Sequence, residues 1–120
     1  MAVKVGKKAE DVAASFLERQ GIRILAKNVV YPFGELDLVG QDKKTLVFVE
    51  VKYRYSVAYG FPMEAVTRGK QKKIVMAAKA FLQKYRGPMP FCRFDVISMW
   101  GNLSDPVIEH IKDAFWAEGM

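Results

Sequence analysis

Two strand-like segments of the chain carry the side chains that are best suited to chemistry. They are Gly34-Glu35-Leu36-Asp37-Leu38-Val39 and Phe48-Val49-Glu50-Val51-Lys52. Residues two apart in a strand share one face of a sheet, so Glu35 and Asp37 are predicted to point the same way, as are Glu50 and Lys52. The same alternation predicts that the two leucines flanking Asp37 lie together in the opposite packing layer.

The polar residues 40–44 are predicted to form a turn that pairs the two segments as an antiparallel hairpin. Asp37 then lies close to Glu50 or Lys52. Charged side chains within an apolar strand are costly unless they are paired or bind an ion. Mg²⁺ takes one or two carboxylates with water, and a neighbouring lysine can hold a reactive water and stabilise charge on a phosphate. A structural Asp–Lys or Glu–Lys pair at the sheet end is the alternative.

One polar residue on each predicted helix is a candidate for the same cluster. Glu10 flanks the apolar stripe of the first helix, from which it could lean over the sheet edge toward Asp37. Gln71 falls on the arc of the second helix that carries Ile74 and Ala78, and an amide that faces a sheet needs hydrogen-bond partners. An ordinary boundary glutamate and a satisfied buried amide are the alternatives.

Hydrophobic periodicity and turn residues predict two helices and five strands. The helices run from about Gly6 to Gln20, ended by Gly21, and from the cap Thr67 to about Tyr85. The predicted strands are Ile22–Tyr31, Glu35–Val39, Thr45–Tyr53, Arg93–Trp100 and a short Val107–Lys112. The order α-β-β-β-α-β-β predicts an α/β fold in which helices flank a mixed central β-sheet.

Composition narrows the functional classes. The 120 residues suit a single domain spanning 1–120, and 51% hydrophobic residues exclude intrinsic disorder. The lack of a secretory signal and of a membrane-length apolar run predicts a cytoplasmic protein that does not enter a membrane. A single cysteine, Cys92, excludes a disulfide framework, and a single histidine, His110, argues against His-based chemistry; both are assigned to packing or to the surface. Any chemistry must therefore rest on carboxylates and lysines.

Positive charge is concentrated in one part of the chain. Residues 65–94 hold eight basic residues and no acidic one, whereas the whole chain has a net charge of +6. Such segregation indicates a polyanionic partner, nucleic acid first, although a solvated helix face is the alternative. Lys72, Lys79 and Arg86 are predicted to form a ridge on the second helix. The candidate nucleic-acid contacts are Arg54, Arg68, Lys70, Lys72, Lys73 and Lys79.

Aromatic residues are frequent near the predicted loop 54–62. They are Tyr53, Tyr55, Tyr59 and Phe61. Aromatic side chains can stack on bases, and packing within the loop is the alternative.

The two segments that contain Asp37 and Glu50 resemble those of the YraN-like uncharacterised family, within the PD-(D/E)XK superfamily of restriction-endonuclease-like fold. The likeness extends over most of the chain, through Glu10, Lys70-Gln71 and Arg93-Phe94-Asp95-Val96. The chain is also similar to archaeal Holliday-junction resolvases. The resemblance implies a restriction-endonuclease-like core. It further implies a site whose members are Asp37 and Glu50 as metal ligands, Glu10 as a supporting ligand, Lys52 as the catalytic lysine, Gln71 as the helix glutamine and Glu35 in support.

The function expected from this resemblance is Mg²⁺- or Mn²⁺-dependent hydrolysis of phosphodiester bonds, leaving a 5′-phosphate. DNA, including branched DNA, is the favoured substrate over RNA, and whether the chain forms a homodimer is left open. Two further hypotheses are a nucleic-acid-binding module of nuclease fold without turnover of its own and a structural interaction domain. The last leaves Asp37, Glu50 and Lys52 unexplained.

Overall fold

A computed structural model describes residues 2–56 and 66–117, with side chains from residue 6 onward. It contains two helices and five strands in the predicted order α-β-β-β-α-β-β. The helices are α1 (Ala2–Arg19) and α2 (Arg68–Gln83), and the strands are β1 (Arg23–Tyr31), β2 (Gly34–Asp42), β3 (Thr45–Arg54), β4 (Phe91–Trp100) and β5 (Val107–Phe115). Of the aromatic residues considered for base stacking, Tyr59 and Phe61 lie outside the described residues.

The strands form one five-stranded mixed sheet in the order β1-β2-β3-β4-β5. All neighbouring strands are antiparallel except β3 and β4, which are parallel. A parallel pair needs a long crossover, and α2 lies in the segment that connects β3 to β4. Among the described helices, none is long and apolar enough to span a membrane.

Each face of the sheet is covered by one helix. On the α2 face, Ile74 and Ala78 pack against Phe48 and Phe94. On the α1 face, Ala13 and Leu17 pack in a second core that contains Val49 and Ile97. The alternation along β3 follows the predicted period of two, with Phe48 on one face and Val49 on the other.

The helix boundaries confirm two of the predicted signals. Gly21 ends α1 in the left-handed region (φ 88°), and the Ile22 N–H donates to the Leu17 carbonyl at 3.0 Å. The Thr67 hydroxyl caps α2 by accepting a hydrogen bond from the Lys70 N–H at 3.2 Å. The prediction for Arg86 was wrong, because α2 ends at Gln83 and Arg86 lies beyond it, so it cannot extend a ridge on that helix.

The predicted turn at residues 40–44 was too long. Gly40, Gln41 and Asp42 continue β2, and Asp42 pairs with Thr45 across a two-residue turn. Lys43 adopts a positive φ of 58° there, which allows the tight reversal. The fifth strand was predicted to end at Lys112, but it continues to Phe115 past a register shift opposite Phe94 and Val96.

One prediction about β2 was wrong and bears directly on Asp37. Leu36 and Leu38 do not share a face: Leu36 packs in the α2-side core and Leu38 in the α1-side core. The regular alternation is broken at Asp37, across from Asn28, which has a left-handed φ of 53°. Pairing between β2 and β3 also ends at Leu38–Val49. Asp37 therefore lies at an irregularity where the two strands separate.

Candidate active site

The centre of the site is the point at which the β2–β3 ladder stops. Continuing the register beyond Leu38–Val49 would place Asp37 opposite Glu50. Instead of a backbone carbonyl, Asp37 Oδ2 accepts the Val51 N–H at 2.9 Å. The carboxylate of Asp37 thus takes the place of a ladder hydrogen bond and is held close to Glu50, as the predicted hairpin requires.

A cleft of about 530 Å³ opens over this end of the sheet. It is bordered by both helices and by strands β2 and β3. Its lining residues are Gly6, Ala9, Glu10, Glu35, Asp37, Glu50, Val51, Lys52, Tyr53 and Lys70. The cleft therefore brings together Glu10, Asp37, Glu50 and Lys52, which the sequence places on three different elements.

Glu50 is a buried carboxyl in an unfavourable environment for charge. Only 5% of the residue is exposed. Burial, followed by the hydrogen bond and negative charge of Asp37, raises the pKa of Glu50 to about 9. The positive charges of Lys70 and Lys52 oppose this rise but do not cancel it. A pKa raised this far favours the protonated form of the Glu50 carboxyl at neutral pH.

Glu10 adds a third carboxyl from α1. Burial, followed by the charge of Asp37, raises the pKa of Glu10 to about 7, and a hydrogen bond with Asn28 opposes that rise. Its Oε1 atom is one of two buried side-chain oxygens that lack a hydrogen-bond partner within the described part of the chain, the other being Ser98 Oγ. A buried acceptor without a donor is costly, which makes this atom a candidate ligand.

Two lysines border the carboxyl groups. Lys52 lies two residues after Glu50 on the same strand and lines the cleft. Lys70, from the first turn of α2, places its Nζ atom 3.9 Å from Glu50 Oε2. Sequence reasoning assigned Lys70 to nucleic-acid contact only. Its approach to Glu50 depends on how α2 packs on the sheet, so no sequence signal reveals it.

Gln71 and Glu35 lie at the margin of this group. Gln71 is half-buried, and its Nε2 atom donates to the Val66 carbonyl at 3.2 Å. This bond supplies the partner that a buried amide needs, and Gln71 does not line the cleft. Glu35 is exposed, and it lines the cleft beside Asp37.

The predicted nucleic-acid contacts surround the cleft at different distances from it. Lys70 lines it directly, and Lys73, one turn further along α2, lines a neighbouring hollow. The remaining four are exposed: Arg54, Arg68, Lys72 and Lys79. Of the two tyrosines in this region, Tyr53 lines the cleft and donates its hydroxyl to the Gly101 carbonyl at 2.5 Å, and Tyr55 is exposed.

Sequence reasoning missed a second polar cluster, centred on Asp95 of β4. Arg93 donates from Nε and Nη2 to the two Asp95 oxygens at 2.9 and 3.1 Å, and His110 Nε2 lies 2.7 Å from Asp95 Oδ2. The Asp113 N–H donates to Asp95 Oδ1 at 3.0 Å. His110 is therefore a hydrogen-bond partner of Asp95 rather than a simple packing residue. The Arg-x-Asp spacing, which places Arg93 and Asp95 on one face, was the available signal.

The carboxyl groups of the cleft offer oxygen donors of the kind that a divalent cation requires. In the described ranges, no group of three or more His, Cys, Asp or Glu side chains is arranged to hold a metal ion. Mg²⁺, however, is commonly held by one or two carboxylates with water completing its shell. Asp37 and Glu50 meet that requirement with oxygen donors alone. The unpartnered Oε1 of Glu10 lies at the same cleft.

Comparisons with known proteins identify the family of the chain. A family model described as "Uncharacterised protein family UPF0102" matches residues 9–99. A UPF0102 protein of Prosthecochloris aestuarii is 45% identical over 121 residues, covering 95% of this chain and 94% of the relative. UPF0102 proteins of Syntrophotalea carbinolica (41% over 117 residues; 98% and 95% covered) and Shewanella oneidensis (43% over 111 residues; 92% and 98% covered) are similar along their lengths. The names of these relatives state a family and no activity.

Proposed function

We propose that the chain, which belongs to the UPF0102 (YraN-like) family, is a Mg²⁺- or Mn²⁺-dependent nuclease. Its proposed reaction is the hydrolysis of phosphodiester bonds in DNA. The observation that carries the proposal is the pairing of Asp37 with Glu50 at the break in the β2–β3 ladder, inside a cleft that Lys52 also lines. The resemblance of these segments to PD-(D/E)XK nucleases supports the same assignment.

Four charged residues of the cleft have roles that their chemistry allows. Asp37 and Glu50 would hold the cation, with Glu10 beside them. A bound divalent cation supplies a polarised phosphate oxygen and a water of lowered pKa. Lys52 would orient the attacking water and offset the negative charge that develops on the phosphate. Because the carboxyls repel one another when ionised, binding of a cation would release the proton that Glu50 holds.

The first turn of α2 supports an anionic substrate. This turn contains no acidic residue, although acidic side chains stabilise a helix N-terminus. Arg68 and Lys70 occupy it instead and add positive charge to the positive end of the helix dipole. Such an arrangement costs helix stability and favours a phosphate nearby, and Lys70 reaches the cleft itself.

A panel of linear, nicked and four-way-junction DNA, with RNA, in the presence of Mn²⁺ tests the proposal. We expect cleavage of at least one DNA substrate, lost in Lys52→Ala with unchanged binding, since the role of Lys52 lies in the transition state. Lys44→Ala, which removes an exposed lysine from the β2–β3 turn, is the matched control and should cleave like the wild type.

Calorimetric titration with Mn²⁺ provides an independent measurement. Wild type should bind one cation weakly, because two carboxylates with water make an open site, and Asp37→Asn should not. If the protein binds DNA but cleaves no substrate and takes up no Mn²⁺, it is instead a nucleic-acid-binding module of the same fold.

A further inference from the structure

A second hollow of about 340 Å³ adjoins the cleft on the side of the β1–β2 turn. Glu35 and Lys70 line both spaces, so the two are direct neighbours. The other side chains that face it include Phe33 from the turn and Lys73 from α2. The volume lies at the lower end of the range for small-ligand sites.

The aromatic wall of this hollow is built as a rigid stack. The rings of Tyr31 and Phe33 are parallel within 1°, with centroids 5.5 Å apart. Tyr31 supports one side of Phe33, and Phe33 is still 39% exposed. The exposed face of an aromatic ring contacts water, and a nucleic-acid base that stacks on that face replaces the water with apolar contact.

The turn that carries Phe33 is fixed against α2. A Cβ atom on Gly34 would lie 2.8 Å from the Lys73 carbonyl oxygen, closer than side-chain carbons approach. Only glycine therefore lets the turn come this near to the helix. The contact places the stacked rings beside the first two turns of α2, where Lys70 and Lys73 are three residues apart on one face.

We propose that this hollow binds an unpaired nucleotide of the DNA strand that enters the cleft, with its base stacked on Phe33 and a neighbouring phosphate held by Lys73. The proposal rests on the proposed nuclease function for the direction of the strand. Phe33 precedes Asp37 by four positions, about 13 Å along an extended chain, so the stacked nucleotide lies away from the reacting phosphate. The site would therefore favour substrates with single-stranded DNA next to the cleaved bond.

Fluorescence anisotropy in EDTA tests this without cleavage. The probes are a fluorescein-labelled 12-nucleotide single strand and the 12-base-pair duplex of the same sequence. We expect Phe33→Leu to weaken single-strand binding by roughly 10-fold or more and duplex binding by less than about 2-fold, with Phe33→Trp retaining affinity. Phe91→Leu, at an aromatic residue 75% exposed on the opposite end of the sheet, should change neither.

Lys73→Ala gives a different signature. It should flatten the log–log salt dependence of single-strand binding by about 0.7, whereas Phe33→Leu should lower affinity at every salt concentration without changing the slope. A single 2-aminopurine in the strand should be quenched on binding to the wild type and not to Phe33→Leu.

Outcomes for the hollow and for the nuclease are separable. No single-strand binding by the wild type, an equal loss with Phe33→Leu and Phe91→Leu, or an equal loss on duplex would overturn the proposed hollow even if the protein cleaves DNA. A selective Phe33 effect in a protein that cleaves nothing would support the hollow and remove the nuclease.

Discussion

Two buried aspartates interrupt the sheet of this protein in the same way but have opposite surroundings. Asp37 accepts the Val51 N–H and Asp95 accepts the Asp113 N–H, each at a break in strand pairing. Around Asp95, burial alone would raise the pKa, but hydrogen bonds from His110, Arg93 and the Asp113 N–H lower it below its ordinary value. Around Asp37 the neighbours are the carboxyls of Glu50 and Glu10, whose pKa values are raised.

The difference teaches what each cluster is for. The Asp95 cluster has its charge compensated within the chain, and Arg93 also reaches Asp42 at 3.2 Å, which ties the ends of β2 and β4 together. The cluster of Glu10, Asp37 and Glu50 is only partly compensated, by Lys70 and Lys52, and it faces a cleft. Burying acidic groups together with too little positive charge is costly, so such a cluster is typical of a site completed by an external cation.

The largest expected effect separates the two aspartates by stability. Asp95→Asn should lower the free energy of unfolding by about 3–5 kcal/mol, because Arg93 is left as a partly buried charge without its main partner. Asp37→Asn should change it by less than about 1 kcal/mol, since the amide oxygen can still accept the Val51 N–H and one repulsive charge is removed. Urea unfolding at pH 7 without metal measures both. Equal losses would mean that Asp37 is structural too.

A smaller effect follows from pH. The folded pKa of Glu50, about 9, lies above its ordinary 4.5, so the neutral carboxyl is favoured in the fold and stability decreases as pH rises from about 4.5 to 9. Glu50→Gln should remove the part of that dependence above pH 7, leaving the contribution of Glu10 below it, and should be more stable than wild type by about 1–3 kcal/mol at pH 9, with little difference near pH 4.

The pH dependence of stability that Asp95 contributes has the opposite sign and serves as an internal reference. Its lowered pKa contributes stability above the ordinary value near 3.8 that is lost as pH falls through the folded value. Thermal unfolding from pH 3 to 9 measures both limbs. An alkaline limb that persists unchanged in Glu50→Gln would show that the crowded carboxyls do not control it.

The smallest effect concerns the path by which a polyanion would reach the cluster of Glu10, Asp37 and Glu50, as opposed to the Asp95 cluster. Lys72→Ala/Lys79→Ala should flatten the log–log salt dependence of duplex DNA binding by up to about 1.8, or 0.9 per lost phosphate contact. Lys44→Ala/Lys112→Ala removes the same charge from exposed positions outside α2 and should leave the slope unchanged. Anisotropy across a salt series measures the slopes. An unaltered slope in the first variant would place the duplex path elsewhere.

Local sequence signals predicted much of the fold. The apolar stripe and Gly21 located α1, Thr67 located the start of α2, and alternating apolar residues located all five strands. The errors fell where tertiary contacts override local pattern. The chain near Asp37 does not alternate, because its side chain replaces a ladder hydrogen bond that a periodicity of two assumes.

The sequence by itself determined which residue types are present for chemistry and which strands carry them. Acidic residues in β2 and β3, a lysine two residues after Glu50 and an acid-free basic stretch are written in the chain. These features depend only on local spacing along the chain, because the period of a strand or helix decides which nearby residues share a face.

Only the tertiary structure decided which of the acidic groups are compensated. Asp95 is hydrogen-bonded to His110, 15 residues away, and Glu50 is approached by Lys70, 20 residues away on the crossover helix α2. The stacked Tyr31 and Phe33 line a hollow beside α2 because Gly34 lets their turn approach that helix closely. Charge and stacking depend on distances between atoms, and for residues far apart in the chain those distances are fixed by the packing of helices on the sheet.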